Sequence, residues 1–464
     1  MRTPPNFATM RPTVPPPESL PHEPSMTSPT RALTLALFAT LLLAAPACSS
    51  SPADNDTDTP ELDATGPDVT EDPDDGDTSD PISDETPLIL IGFDGFRPDY
   101  LSLAPTPNFD RLIREGVVAD SLEPVFPTKT FVNLYSIVTG LYAENHGIVG
   151  NTVRDPATGD RLRMSDAELQ GQSRWWGGEP IWVTAEKQGK RAGTYFWVGS
   201  EAEIGGERPT HWMPFATNYM NPARERIDQV VAWLSADDPV DFATLYFSDL
   251  DGVGHSQGPR GSRLFSELQE ADANLGYLID ELEAAGLWPN VNILIVSDHG
   301  MTALDDDKVI RLDHIIDERD VFVVEWSPVA SLIPDAGKAD EVYQALKAAE
   351  ENYTVYRKED VPERLRYSNH ERIPEILVVA DPPYTIANQY ILDNIGVSAG
   401  GHGYDPEFED MHGFFAAIGP DFKQGLQSET LKIVDLYALM AHLLALEPAD
   451  HDGDLVRISH ILAN

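Results

Sequence analysis

Leu88-Ile-Leu-Ile-Gly-Phe93 is an unbroken apolar run, and Asp94-Gly95 follows it directly. A strand with one wet face alternates apolar and polar residues, whereas a strand covered on both faces does not. The run therefore reads as a buried strand of a parallel sheet. Ala243-Thr-Leu-Tyr-Phe247 and Val291-Asn-Ile-Leu-Ile-Val296 have the same character. Between these runs lie helical spacings. Phe131, Leu134, Tyr135 and Val138 fall at i, i+3, i+4 and i+7, and Ile433, Leu436, Tyr437, Met440, Leu443 and Leu444 continue in that way near the end. Strands alternating with amphipathic helices predict an α/β class, doubly wound around a mostly parallel central sheet. Thr152 to Trp233 and Leu304 to Ser398 are richer in Gly, Pro and charge, and are expected to be insertions over a substrate cleft.

Upstream of Pro87 the chain changes character. Ser49 to Thr86 is Asp, Thr, Pro, Ser and Gly with no Lys or Arg, and it holds too little apolar surface to offset the entropy of ordering. A disordered, self-repelling tether is expected. Before it, Arg31 precedes the apolar run Leu33 to Ala45, which is short for a membrane span but fits a secretory signal. Pro46-Ala47-Cys48 closes that run, and Cys48 is the single cysteine of the 464 residues. An intramolecular disulfide and a cysteine zinc site are both excluded. The arrangement resembles the lipobox of bacterial lipoproteins, with Ala45 where Leu is usual, and implies a lipidated Cys48. The expected organisation is a leader and signal peptide over 1–47, a lipidated cysteine and tether over 48–86, and a catalytic domain over 87–464. Met26 makes a more typical start than Met1. The expected location is the bacterial cell envelope after export, held to the membrane by the lipid alone.

The formal charge is −45, from 77 acidic against 32 basic residues. Such a chain lacks the basic face that coating a nucleic acid requires. Small nucleotides stay open as substrates, because bound cations can override an unfavourable average field. No stretch marks an obligate protein partner.

The metal-type side chains sit where the apolar runs end. Asp94 follows the first run, Asp251 and His255 the second in Asp251-Gly-Val-Gly-His255, and Asp298-His299-Gly300 the third. Ligands of open parallel sheets bind beyond the carboxyl ends of the strands, so these groups should converge. With His402, in Gly400-Gly-His-Gly-Tyr-Asp405, the set has three carboxylates and three imidazoles. One such group alone would read as a turn; three at three strand ends read as a site. Six ligands of this type suit two borderline-soft divalent ions, each keeping a position open. Pro127-Thr-Lys-Thr-Phe131 leads into a helix and places Thr130 at or near its N-cap, where unpaired N–H groups favour an alkoxide and a phosphoryl group. A threonine hydroxyl is a weak nucleophile at neutral pH and would need a metal to activate it.

Five stretches in order, Phe93-Asp-Gly-Phe-Arg97, Pro127 to Ile148, Asp251 to Pro259, Ser297-Asp-His-Gly-Met301 and Gly401-His-Gly-Tyr-Asp405, resemble the motifs of the nucleotide pyrophosphatase/phosphodiesterase family of the alkaline phosphatase superfamily. The resemblance runs from about Leu88 to the C-terminus. It implies an alkaline-phosphatase-like three-layer α/β/α sandwich and two zinc ions per catalytic domain. One zinc would lie on Asp251, His255 and His402, the other on Asp94, Asp298, His299 and the Thr130 hydroxyl. It further implies that Asn151, helped by the Phe131 N–H, donates to a non-bridging phosphate oxygen, and that Phe131 walls the substrate pocket. Trp212 is our candidate for the opposite wall. Val132, Val198 and Leu250 depart from the family pattern without removing a ligand. The reaction implied is hydrolysis of a phosphodiester or pyrophosphate through a phosphothreonine. The alternatives are a phosphomonoesterase or phosphotransferase of the same superfamily, and a non-catalytic ligand-binding surface lipoprotein. A sulfatase is excluded, because the Cys-x-Pro-x-Arg-like motif that yields its formylglycine is absent.

Overall fold

The computed structural model describes residues 86–214 and 221–463. Cys48, the signal segment and the tether lie outside the described residues. Leu88–Phe93 is a strand with all six residues buried, and it is flanked on both sides by the other two runs, Phe242–Phe247 and Asn292–Val296. Both neighbours are parallel to it, so the absence of alternation has the expected cause. Each fully buried Leu or Ile in such a strand contributes roughly 1.5–3 kcal/mol.

Among the described residues the sheet has eight strands. Beyond Phe242–Phe247 come Ala192–Tyr195 and then the edge strand His211–Met213, both parallel. Beyond Asn292–Val296 come Phe415–Ile418, which runs antiparallel, then Val117–Ala119 and Leu426–Ser428. Helices Pro107–Glu115, Ala223–Leu234 and Ser262–Ala284 form one packed group, and Thr130–Thr139, Ile181–Lys187 and Leu436–Leu443 another. These groups cover the two faces of the sheet and complete the three-layer α/β/α sandwich.

Two expectations change and a third gains detail. The Thr130–Thr139 helix is not amphipathic, since all ten residues are buried. Its polar side chains are satisfied internally: Asn133 accepts from Val125 N–H and donates to carbonyls of Val125, Pro127 and Lys129. The Thr152 to Trp233 stretch is more than an insertion, because it supplies two strands of the main sheet. Its strand Ala192–Tyr195 lacks an apolar run because Gly193 lies against the Trp233 ring, where a Cβ would come within 2.7 Å. Leu304 to Ser398 carries an antiparallel sheet of Val321–Glu325, Val329–Pro334, Ile376–Ala380 and Tyr353–Arg357, with a hydrophobic cluster of its own.

Candidate active site

The three central strands end level with one another: Phe93 pairs with Phe247, and Gly92 with Val296. Whatever follows them must therefore share one rim. Asp94 follows the first strand, with its N–H bonded to the Phe247 carbonyl at 2.8 Å. Asp298 and His299 follow the third. Asp251 and His255 lie four residues apart on the helix Asp249–Gln257, which begins just after the second, and so they share a helix face. Gly95 has φ +67°, a conformation that favours glycine, and a Cβ there would stand 3.1 Å from the Asp251 side chain. His402 arrives from the far end of the chain. Gly400–Gly401 pairs antiparallel with Thr302–Ala303, and a Cβ on Gly400 would lie 2.4 Å from the Gly254 carbonyl. That close approach presses the His402 loop onto the helix of Asp251.

Two groups of ligand atoms result, Asp94/Asp298/His299 and Asp251/His299/His402, each with its atoms within 4.8 Å of one another. His255 joins the second, its Nε2 3.3 Å from Asp251 Oδ1. His299 Nε2 stands 3.3 Å from Asp94 Oδ1, 3.1 Å from Asp298 Oδ2 and 3.2 Å from Thr130 Oγ1, and the rings of His299 and His402 stack at 3.5 Å. His299 thus stands between the two groups instead of belonging to one alone. Asp298 and His299 are wholly buried, and Asp94 and Thr130 are each 3 % exposed. Thr130 is the first residue of its helix, with Lys129 at the N-cap.

The donor set fits metal binding on two independent grounds. The Nδ1 atoms of His255, His299 and His402 each lie 2.9 Å from a backbone carbonyl, of Gly400, Gly300 and Thr128. A proton held there leaves Nε2 as the free lone pair facing the carboxylates. On the carboxylate side, Asp94 Oδ1, Asp251 Oδ1 and Asp298 Oδ2 are buried with no hydrogen-bond partner. Lone pairs facing buried oxygens form a donor set that a divalent cation fits.

The electrostatics agree. Burial, followed by the charges of Asp298 and Asp251, pushes the Asp94 carboxyl well up. For Asp251 burial acts upward, but His255, His402 and His299 outweigh it and bring the carboxyl to about 2. Burial opposes a proton on His299, yet Asp298 and Asp251 prevail and raise it. Burial and then His299 hold His402 well below the usual histidine range.

Asn151 meets the Thr130–Thr139 helix through its carbonyl: Phe131 N–H donates to Asn151 Oδ1 at 3.0 Å. That bond assigns the oxygen end of the amide and leaves the nitrogen as a donor. The Phe131 ring is buried, and among the described residues its aromatic neighbour is Trp176, 6.3 Å away. Trp212 is placed elsewhere. It pairs with Thr194 on the sheet edge, which is level with Thr244 and Leu90. It therefore stands three strands, or about 14 Å, to the side of the first strand and well below its carboxyl end. The Arg208 guanidinium covers its ring at 5.5 Å. Sequence reading missed Tyr246, whose hydroxyl donates to Asp94 Oδ2, and Thr128, whose carbonyl fixes His402. Tyr246 precedes Phe247, the last residue of the second run, and only the strand register, which sets it level with Gly92, brings it to the site.

Known proteins share this arrangement. The sequence profile of the type I phosphodiesterase/nucleotide pyrophosphatase family matches residues 88–405. Human ectonucleotide pyrophosphatase/phosphodiesterase family member 5 is 38% identical over 82% of this chain and 78% of its own. Human bis(5'-adenosyl)-triphosphatase is 39% identical over 79% of this chain and 80% of its own. Among solved structures, murine ectonucleotide pyrophosphatase/phosphodiesterase 5, an inactive threonine-to-alanine variant in complex with AMP, superposes with a TM-score of 0.78 at 37% identity. It covers 82% of this chain and 100% of that one.

Proposed function

This chain belongs to the type I phosphodiesterase/nucleotide pyrophosphatase family, hydrolases of phosphodiester and pyrophosphate bonds, and from that premise we propose that it works with two zinc ions and Thr130 as a covalent nucleophile. The observation that carries the proposal is the placement of Thr130 Oγ1 3.2 Å from His299 Nε2, among carboxylate oxygens that lack any other partner. Asp94, Asp298 and His299 would hold one ion, with Asp251, His255 and His402 around the other. Bound there, the ions supply an acidified hydroxyl and positive charge for the phosphoryl and departing oxygens.

The chain's own residues do the rest. Thr130 Oγ forms a bond to phosphorus as the opposite P–O bond breaks, which gives a phosphothreonine ester. The N-terminal end of the Thr130–Thr139 helix favours negative charge beside Thr130, and the Asn151 amide, its oxygen held by the Phe131 N–H, donates to a non-bridging oxygen. Water entering from the side the leaving group has vacated then cleaves the ester. A relative described as inactive once its threonine is alanine supports this role for Thr130.

The test is Thr130→Ala. Turnover of the p-nitrophenyl ester of thymidine monophosphate should fall at least a thousandfold, with metal content by mass spectrometry unchanged. A variant that keeps near wild-type rate would remove the covalent route. Chelation should abolish diester cleavage in the wild type, and preference for p-nitrophenyl phosphate would favour the phosphomonoesterase alternative.

The Cys48 motif carries a second, independent reading: a lipid anchor on an exported protein. Cys48→Ser expressed in a bacterial host should move the protein from the membrane to the soluble fraction. An unchanged membrane fraction would leave the anchor without support.

A further inference from the structure

A cavity of about 430 Å³ opens beside His255 and His402. Its wall is largely apolar, built from Trp326, Pro328, Ile386, Ile391, Ile395 and Val397, and no Lys, Arg, Asp or Glu lines it among the described residues. A neighbouring groove, also bordered by His255, carries Asp305 and Asp306. The short helix Gln389–Asn394 in the wall buries none of its residues. Tyr390 is 68 % exposed and Ile395 is 76 % exposed, so an apolar face stands open to water beside the reacting centre.

The place of this cavity in the reaction follows from the nucleophile. Thr130 Oγ1 stands with His299, Asp94 and Asp298. In an in-line displacement the leaving oxygen departs on the side away from the attacking one, and that is the side of Asp251, His255 and His402. The cavity begins there. A pyrophosphate or polyphosphate leaving group carries several negative charges. It would find no cationic side chain in this wall, and acidic residues beside it. An uncharged alkyl or aryl group would instead gain from leaving water against Ile391, Ile395 and Trp326.

We propose that this cavity is the leaving-group subsite, and that the preferred substrates are phosphodiesters whose departing group is an uncharged, apolar alcohol. The proposal rests on the two-metal reading of the site. In the step, the Thr130 Oγ–P bond forms and the bond from phosphorus to the alcohol oxygen breaks. The Thr130 hydroxyl proton passes to solvent, the electron pair of the broken bond stays on the alcohol oxygen, and that oxygen takes up a proton from solvent water; no oxidant or reductant enters.

The experiment uses thymidine 5'-monophosphate esters of ethanol, butanol and octanol, with ATP and diadenosine triphosphate as the polyphosphate arm. On the proposal, kcat/KM rises up to about three- to fourfold for each methylene that is buried, and the octyl ester exceeds both anhydrides by at least tenfold. Calorimetric titration of metal-loaded Thr130→Ala should show the octyl ester binding at least tenfold tighter than the ethyl ester, with no turnover involved. Ile395→Asp, at a position exposed enough to spare the fold, should lower the octyl-to-ethyl ratio about tenfold in both measurements. A flat chain-length series, or preference for the anhydrides, overturns the leaving-group assignment while the two-metal reading stands, and would leave the open face to a macromolecular partner. Failure to cleave any ester or anhydride overturns the two-metal reading itself.

Discussion

The phenol of Tyr246 shows how the site is tuned by a residue that would touch neither metal nor substrate. It is buried, and burial and then the charge of Asp94 push its pKa far above the usual tyrosine range, so it remains a donor. Its bond to Asp94 Oδ2 leaves Oδ1, the oxygen without a partner, as the atom that faces His299. Tyr246→Phe keeps the ring's packing and removes only this orientation. Losing such an outer partner typically costs 10- to 100-fold in metal affinity, or about 1.4–2.7 kcal/mol. Competition against a fluorescent zinc chelator should show a weakening in that range; an unchanged affinity would mean that packing alone orients Asp94. At this scale the metal-type ligands were legible because Asp and His next to glycine at strand ends are a local pattern. Tyr246 and Thr128 were not, because a tyrosine inside an apolar run and a carbonyl in a loop carry no mark of their role until the strands are in register. Trp212 shows the opposite limit: an aromatic residue's availability could be read, but not its distance from Phe131.

Among elements, the Thr130–Thr139 helix carries the proposed nucleophile, and its rigidity depends on a buried histidine. His146 Nδ1 accepts from Ile148 N–H at 3.1 Å, and its Nε2 lies 2.9 Å from Ser136 Oγ on the helix. The ring is therefore neutral, with its proton on Nε2. Burial, with His370 and Arg372 adding to it, lowers its pKa to about 3, whereas in the unfolded chain it titrates near 6.5. Between those values the unfolded state binds more protons, so stability rises with pH there. The contribution is fully present above about pH 6.5 and is lost as pH falls toward 3, at about 1.4 kcal/mol per unit. Urea denaturation at pH 6.5 and 5.5 should show wild type losing about 1 kcal/mol more than His146→Gln, which keeps a donor and an acceptor; equal slopes would assign the acid sensitivity to other groups. The helical period was legible here, but the burial of every face was not. Apolar spacing reports which side must be covered, and it is silent about a polar side covered by Asn133 and Ser136 bonding inward. In the same way, the three long strands announced themselves by composition. Ala192–Tyr195 and His211–Met213 did not, because Gly193 is required by the Trp233 ring rather than by any strand preference.

For the whole molecule the governing quantity is charge. Only 14 of the 77 acidic residues fall between positions 49 and 86, so most of the −45 charge resides on the catalytic part of the chain. A phosphodiester anion approaching it meets a repulsive field until it reaches the carboxylate and imidazole cluster, where a bound cation would reverse the sign. Long-range repulsion lowers the rate of encounter, and salt shortens its reach, from roughly 30 Å at 0.01 M to about 8 Å at 0.15 M. Raising NaCl from 20 to 300 mM should therefore increase kcat/KM for an anionic diester severalfold, while kcat, measured after binding, changes little. This sign is opposite to that of an enzyme that steers its substrate with a basic cleft, where salt slows association. Stopped-flow or steady-state rates across that range decide the matter. A fall in kcat/KM with salt would show that the local positive potential of metal bound at the site dominates the average field even at a distance, and that the acidic shell serves solubility alone.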